Sequence, residues 1–385
     1  MDEPSAGANS GKVSLDLAFW HRLVVVVFLT VAGLVLAANV LAPLSVALLL
    51  FVLLTAIIDR IRKIDINGRQ VPGWLAHVLG IALVLLGLLG ILSILSNQAG
   101  DVSDALPRYE QRFADITSRI VALVGDTNYA AAQSALNDLN IAEFASGLLA
   151  SAGTFLSAFF LVLLYIPFMM LERAPMRAKI ELASPDKKFN ADLRRVLASI
   201  SQSLQRYMGI KTSVSVLTGV GSYAVMRPVG LDFAETWAVL AFALNFIPTL
   251  GSIMAVALPA LVALVQFDTF TPFLIIVAGC GLVQFVVGNI LEPSLTGRSL
   301  NLSPLMVVLS LTFWTAIWGI TGAWLSVPIT VCALIVMSHI PATQSLAILM
   351  SGDGKLMRST SEDADNLPGK PPRPTKETPE TVQEE

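Results

Sequence analysis

Two apolar blocks in the C-terminal half constrain this chain more than anything else in it. They run over residues 233–267 and 302–338, about thirty-five residues each. One membrane crossing takes roughly 20 predominantly apolar residues, so each block is too long for one pass and barely long enough for two. Each is also interrupted near its middle, the first by Asn245, Pro248 and Gly251, the second by Gly319 and Gly322 just after Trp314 and Trp318. Proline removes a backbone donor and clashes with the preceding turn, and glycine weakens a helix interior. In hydrocarbon such a break is tolerated only where the freed backbone is buried in protein or lines a wet cavity. The pattern predicts two bent hairpins, either re-entrant or crossing. One helix over 272–291 separates them and ends in Asn289, Glu292 and Pro293. Paired, interrupted hydrophobic segments point to the substrate site of a transporter. The competing reading is a kinked structural bundle with no pathway.

Of 385 residues, 55% are hydrophobic and 14% charged. That balance leaves too little polar surface to cover a water-soluble globule, so the fold class is an all-α polytopic membrane protein. A net charge of -3 gives no reason to expect a nucleic-acid partner; the expected partners are membrane lipid and a small-molecule or ion substrate, with a homo-oligomer left open. Cys280 and Cys332 both fall in apolar spans and read as packing residues, with no metal or cofactor implied.

Taken in order, the chain divides into seven parts. A polar N-terminal segment (1–18) leads into a helical hairpin plus a third span (19–96), the hairpin broken around Asn39 and Pro43. Hydropathy then collapses in an insert over 97–146, where Val102, Leu106, Tyr109, Phe113, Ile116 and Ile120 recur at helical spacing. A span (147–171) precedes a basic amphipathic helix (172–206), whose start is read at Ser184-Pro185-Asp186 with serine as cap. The C-terminal transmembrane core covers 207–350 and holds hairpins 233–267 and 302–338; the tail (351–385) is expected to be disordered. In all, about six spanning helices accompany the two hairpins. Basic residues near span ends orient the chain. Placing the N-terminus, the 59–73 loop, the 172–211 region, the 292–302 loop and the tail on one side gathers 21 of the 25 lysines and arginines there. The other four are Arg108, Arg112, Arg119 and Arg227. The first side is read as cytoplasmic and the insert as extracytoplasmic. By that count the two long blocks open from opposite sides, as an inverted pair would. Lys211, one turn inside its span, is expected to snorkel to the headgroups.

No Gly-x-x-x-x-Gly-Lys-Ser/Thr loop, His-Glu-x-x-His or Gly-x-Ser-x-Gly occurs, which argues against an ATP-driven engine and against a zinc or serine hydrolase. A secondary carrier without enzymatic chemistry remains. Polar groups at membrane depth are costly, which makes the few present informative. They are Asn245, Gln284, Asn289 and Glu292. Asn245 either binds a substrate hydroxyl or carbonyl or satisfies the broken backbone beside Pro248. Gln284 reads as an interhelical hydrogen bonder. Glu292 either pairs with Arg298 and orders the loop or serves as a coupling or gating acid. Trp314 and Trp318, one helical turn apart, either stack on a ring-shaped substrate or pack the core. Asp232 and Glu235 sit at the outer mouth of the first block, as helix caps or as a cation-attracting vestibule. Three functions fit: an exporter of a small polar organic molecule, a monovalent cation/proton antiporter, and a non-transporting scaffold.

Three motifs in fixed order carry a family resemblance. The run Asn245-Phe246-Ile247-Pro248-Thr249-Leu250-Gly251, then Pro259, is similar to the "IP-x-x-G" segment of the autoinducer-2 exporter family. Asn289-Ile290-Leu291-Glu292-Pro293 with Gly297-Arg298 and Leu300 resembles its second motif. Ser303-Pro304-Leu305, Leu309-Ser310, Phe313-Trp314, Trp318-Gly319-Ile320 and Val327-Pro328 resemble its third. The architecture over 15–340 follows the same plan. Thr249, Ser252 and Thr321 depart from the residues common at those places, which bears on the substrate rather than on membership. The resemblance implies an inner-membrane carrier. Members are associated with export of the furanone-type signal autoinducer-2, and others with sodium/proton antiport.

Overall fold

Inside hydrocarbon no water can satisfy a free N–H or C=O, so a membrane chain keeps its backbone bonds within helices. The computed structural model describes residues 17–66, 69–124, 141–182, 184–296 and 301–354. Among them all regular structure is helical, apart from a two-residue pairing of Asp65–Ile66 with Arg69–Gln70. The chain is an all-α, multi-pass membrane protein. The expected polar start up to residue 16 and the tail beyond residue 354 lie outside the described residues.

Five long helices come first: α1 (Leu17–Leu36), α2 (Ala38–Arg62), α3 (Gly73–Val124), α4 (Ile141–Leu182) and α5 (Lys187–Val229). The break between α1 and α2 is the single residue Ala37; Asn39 and Pro43 lie inside α2. The boundaries expected at 96/97, 171/172 and 206/207 all fall within unbroken helices, α3, α4 and α5. The amphipathic stretch after Gln98 is thus a continuation of the third span through residue 124 and not a separate surface helix. Polar and apolar stretches differ in solvent preference, but each carries helical periodicity, and nothing at the junctions breaks the backbone. The start of α5 also differs in detail. Asp186, not Ser184, is its cap, accepting from Lys188 N at 2.8 Å.

The first apolar block folds as α6 (Ala234–Leu244), a turn at 245–249, and α7 (Leu250–Gln266). Its two ends meet: Asp232 N donates to Gln266 Oε1 at 2.8 Å, and Gln266 Nε2 donates to Gly230 O at 2.8 Å. It is a hairpin. At about 1.5 Å per residue α6 spans about 16 Å, roughly half the hydrocarbon thickness, so this arm is too short to cross a membrane by itself.

Next come α8 (Thr271–Val286), a π turn (Val287–Leu291) and the one-turn helix α9 (Glu292–Thr296). Then the second block runs as α10 (Pro304–His339), 36 residues with non-helical backbone at Trp318 (φ -124, ψ 17) and Gly319 (φ 58, ψ -139). Although long enough to cross a membrane as one rod, α10 does not. Ser310 Oγ donates to Ser326 O at 2.9 Å and also bonds Thr330, whereas sixteen residues of straight helix would separate the first two by about 24 Å. The helix folds back at Trp318–Gly319 into a second hairpin.

The two turns are built alike. A Cβ at Gly251 would lie 1.8 Å from Leu244 O, and a Cβ at Gly322 would lie 1.8 Å from Trp314 O. Each returning arm therefore starts with the one residue whose backbone can press on the outgoing arm's carbonyl. The hairpins come from opposite ends of the bundle. The first opens beside Gly230 at the end of α5. At the second, Leu302 packs into the cluster of Leu204, Tyr207 and Met208 near the other end of α5's span. Their tips meet between: Leu244, Ile247 and Ala255 pack with Leu311 and Ala323, and the Phe246 ring lies 5.0 Å from Trp324. A short helix, α11 (Gln344–Met350), closes the open end of the second hairpin. There Ser303 N donates to Met350 O and Gly352 N to Asn301 O, each at 3.0 Å.

The close approach at the two turns gives a test. Gly251→Ala and Gly322→Ala should each cost about 1–3 kcal/mol through overpacking against backbone that cannot yield, seen as lowered thermal unfolding of the purified protein. Gly281→Ala, where a Cβ meets open space, should leave the transition in place. Equal stability for all three variants would mean that the turns are not closed by these contacts.

Candidate functional site

On α5, polar residues recur at helical spacing on a buried face: Lys211, Ser215, Thr218 and Ser222 are at most 6% exposed. Four polar groups in line give α5 low hydropathy, yet the helix sits in the interior, touching α2, α6, α8 and α10. Across from it runs α8, antiparallel. Val283 occupies the space over Gly221, and Val225 the space over Gly279. This reciprocal packing fixes the register in which Ser222 faces Cys280 and Lys211 faces Glu292.

The seam ends in an ion pair between a buried lysine and a half-buried glutamate. Lys211 Nζ lies 2.6 Å from Glu292 Oε1, with the lysine side chain 7% and the glutamate 28% exposed. Tyr207 is buried beside the same carboxylate. The expected snorkelling of Lys211 is therefore corrected: the ammonium turns inward because a carboxylate waits there. The π turn makes this geometry. In a straight α-helix Glu292 would sit about 80° round from Gln284, and the wider turn at Val287–Leu291 takes up that offset. Pro293 is the legible cause, since it has no N–H to return to Asn289 O. Arg298, the expected partner of Glu292, lies outside the described residues.

The first hairpin's tip joins the seam. Asn245, 4% exposed, donates from Nδ2 to Ser215 Oγ at 2.9 Å. The turn's own backbone is satisfied locally, with Ile247 N on Leu244 O at 2.8 Å and Gly251 N on Ile247 O at 3.2 Å. The Asn245 side chain is therefore not consumed in repairing the break beside Pro248. Thr249, β-branched, holds φ 61, a conformation that costs on the order of 1–3 kcal/mol and concentrates at working sites. Gln284 is 7% exposed, and neither its Oε1 nor its Nε2 finds a partner among the described residues. The interhelical bond expected of it is absent. A buried amide left this way costs free energy that a polar visitor would return.

Other expected residues lie elsewhere. Asn289 is exposed and bonds back to Phe285 O at 3.3 Å; Pro293 is exposed as well. Trp314 and Trp318 form a ring pair at 5.1 Å on the second tip. There Trp318 Nε1 donates to Leu34 O of α1 at 3.0 Å, anchoring the kink that Gly319 permits. Sequence reading missed Ser215, Thr218 and Ser222; their spacing from Lys211 onward, four, three and four residues, was the available signal.

The model of the AI-2E family transporters matches residues 23–342. The chain belongs to this family. It is a membrane transporter by that membership, and the AI-2E signature segments coincide with the two hairpin tips and the π turn. The chain is 30% identical over 357 residues to the AI-2 transport protein TqsA of Escherichia coli (strain K12), covering 91% of this chain and 98% of that one. It is 30% identical over 331 residues to a putative transport protein of Haemophilus influenzae, covering 84% and 93%. A putative transport protein of Borreliella burgdorferi is 31% identical over 252 residues, covering 64% and 68%.

Breaking a buried pair leaves an uncompensated charge, whereas replacing both partners does not. Lys211→Met and Glu292→Gln should each destabilise the detergent-solubilised protein by about 3 kcal/mol, and the double variant should recover at least half. Additive losses in that cycle would show that the two side chains do not act as a pair.

Proposed function

We propose that this AI-2E transporter is a secondary exporter of small, uncharged, hydrogen-bonding organic molecules of the autoinducer-2 type, working in a bacterial inner membrane with both termini cytoplasmic. Two observations carry the reading: the unpartnered amide of Gln284 in the α5–α8 seam, and the Asn245–Ser215 bond that ties the first hairpin's tip to the same face of α5. Amides and hydroxyls suit a neutral polyhydroxylated cargo, because each can donate or accept as the cargo turns. Opening the first hairpin would expose this seam to one side and opening the second would expose it to the other. The protein's task is passage, with no covalent step, and its partners are lipid and cargo. Residues 97–146 would then stand outside and 172–206 would lie on the cytoplasmic face.

A second reading, a monovalent cation/proton antiporter, draws on the Lys211–Glu292 pair, a half-buried carboxylate with a buried, exchangeable counter-charge. Reconstituted liposomes separate the two. The exporter reading expects autoinducer-2 flux that falls at least tenfold in Gln284→Leu and Asn245→Leu, without sodium-dependent proton movement. The antiporter reading expects the proton signal, lost in Glu292→Gln, and no autoinducer-2 flux. Wild-type flux in Gln284→Leu would remove the seam from the pathway.

For orientation, single cysteines at Ser118 and Ser199 can be placed in a chain with Cys280 and Cys332 replaced. An impermeant thiol reagent on intact cells should label only the first. The reverse pattern would invert the proposed topology.

A further inference from the structure

We propose, building on the exporter reading above, that the outer half of α3 is a strap over the first hairpin, and that this strap must let go for the hairpin to open on its own side. The helix continues 26 residues past Gln98, and the described side chains along its first turns beyond that point converge on the hairpin's mouth. Gln98 Oε1 accepts from Thr236 N at 3.2 Å and from the Thr236 hydroxyl, while Gln98 Nε2 donates to Glu235 Oε2 at 2.8 Å. Three turns later Arg108 Nη2 lies 2.9 Å from Asp232 Oδ2, and the Tyr109 hydroxyl donates to the same oxygen at 2.9 Å. Arg112 pairs with Asp268. Positions 98, 109 and 112 return to one helix face within about 60°, with Arg108 reaching in from its flank, so one side of the helix carries the contacts. They take hold of both ends of the hairpin, Asp232 to Thr236 where it starts and Asp268 just past Gln266 where it ends.

Three features make this a releasable strap rather than a fixed brace. First, its bonds are polar and its ion pairs are largely exposed, the Arg108 side chain at 66% and Asp268 at 74%. Such pairs are individually weak and salt-screened, hence reversible. Second, the membrane part of α3 buries little against the rest of the protein, with Leu79, Leu83, Leu86 and Leu89 all exposed. The helix is held at Gly80, packed on Ile58 of α2, and again at the strap, so it can swing between the two. Third, an open cleft of about 360 Å³ lies beside the strap, lined by Gln98, Arg108, Arg227, Asp232 and Glu235. A small polar molecule leaving the first hairpin has room to pass there. Phe233, at the hairpin's entrance, holds φ 58 with its ring 6.5 Å from Tyr109. A strained non-glycine residue at this junction favours a second conformation once the aromatic contact is lost. Burial and the neighbouring Asp232 carboxylate push the Tyr109 hydroxyl well above its usual value, so it stays a proton donor at any physiological pH.

The test uses the full-length protein with Cys280 and Cys332 replaced by alanine, and Gln98→Cys with Thr236→Cys joined by a short bis-methanethiosulfonate reagent. Cross-linked transporter in liposomes should export at least tenfold more slowly, and a reductant should restore the rate. Unchanged export by verified cross-linked protein would overturn the strap. A second arm needs no transport, so it stands even if the chain carries some other cargo. With Thr236→Cys alone, reaction with an impermeant thiol reagent should be slow, several-fold faster in Arg112→Glu, and slow again when Arg112→Glu is combined with Asp268→Arg. It should also quicken with ionic strength. Labelling indifferent to both the charge reversal and salt would likewise overturn the proposal.

Discussion

The structure depends on keeping two breaks in helical backbone out of lipid. The turns at 245–249 and 318–319 interrupt apolar hairpins, and an unsatisfied amide exposed there to hydrocarbon would cost several kcal/mol. The first turn closes its bonds internally and buries Phe246 and Ile247. The second gains an indole donor, Trp318 reaching Leu34 O across 284 residues of chain. Each tip then shields the other, through Leu244, Leu311 and Ala323. Helices α2 and α5 pack against this junction.

The same constraint explains the seam. Helix α5 passes beside both tips with a face of lysine, serine and threonine that no lipid would accept. Its burial among α2, α6, α8 and α10 makes that face affordable. Helix α8 answers it with Cys280, Gln284 and, after the π turn, Glu292. The helix-then-hairpin unit occurs twice, α5 with the first hairpin and α8 with the second, in opposite directions. Glycines let the two unit-opening helices approach closely enough for Lys211 to reach Glu292.

Both hairpins were legible in the sequence, because Pro248 with Gly251 and Gly319 with Gly322 mark breaks that hydropathy alone would have smoothed over. The lysine–glutamate pair was not. Lys211 and Glu292 are 81 residues apart, and a lysine near a span end ordinarily snorkels; only the α5–α8 register shows that it turns inward. The length of α3 was hidden for another reason. Hydropathy falls sharply at Asn97 while helix-forming residues continue, so a change of solvent looked like a change of element. The contacts of Arg108, Tyr109 and Arg112 join positions 123 to 156 residues apart, far beyond the reach of local pattern.

The stitching of the second hairpin's open end bears on how the protein is made. Asn301, Leu302 and Ser303 are held by Met350, Ser351 and Gly352, so that end cannot close until the chain has been synthesised past residue 352. The first hairpin faces the opposite timing. The helix that grips its mouth, carrying Gln98 and Arg112, precedes it by more than a hundred residues. During synthesis one hairpin thus folds against a partner already in place, while the other waits, unlatched, for a helix made about thirty residues after its own turn.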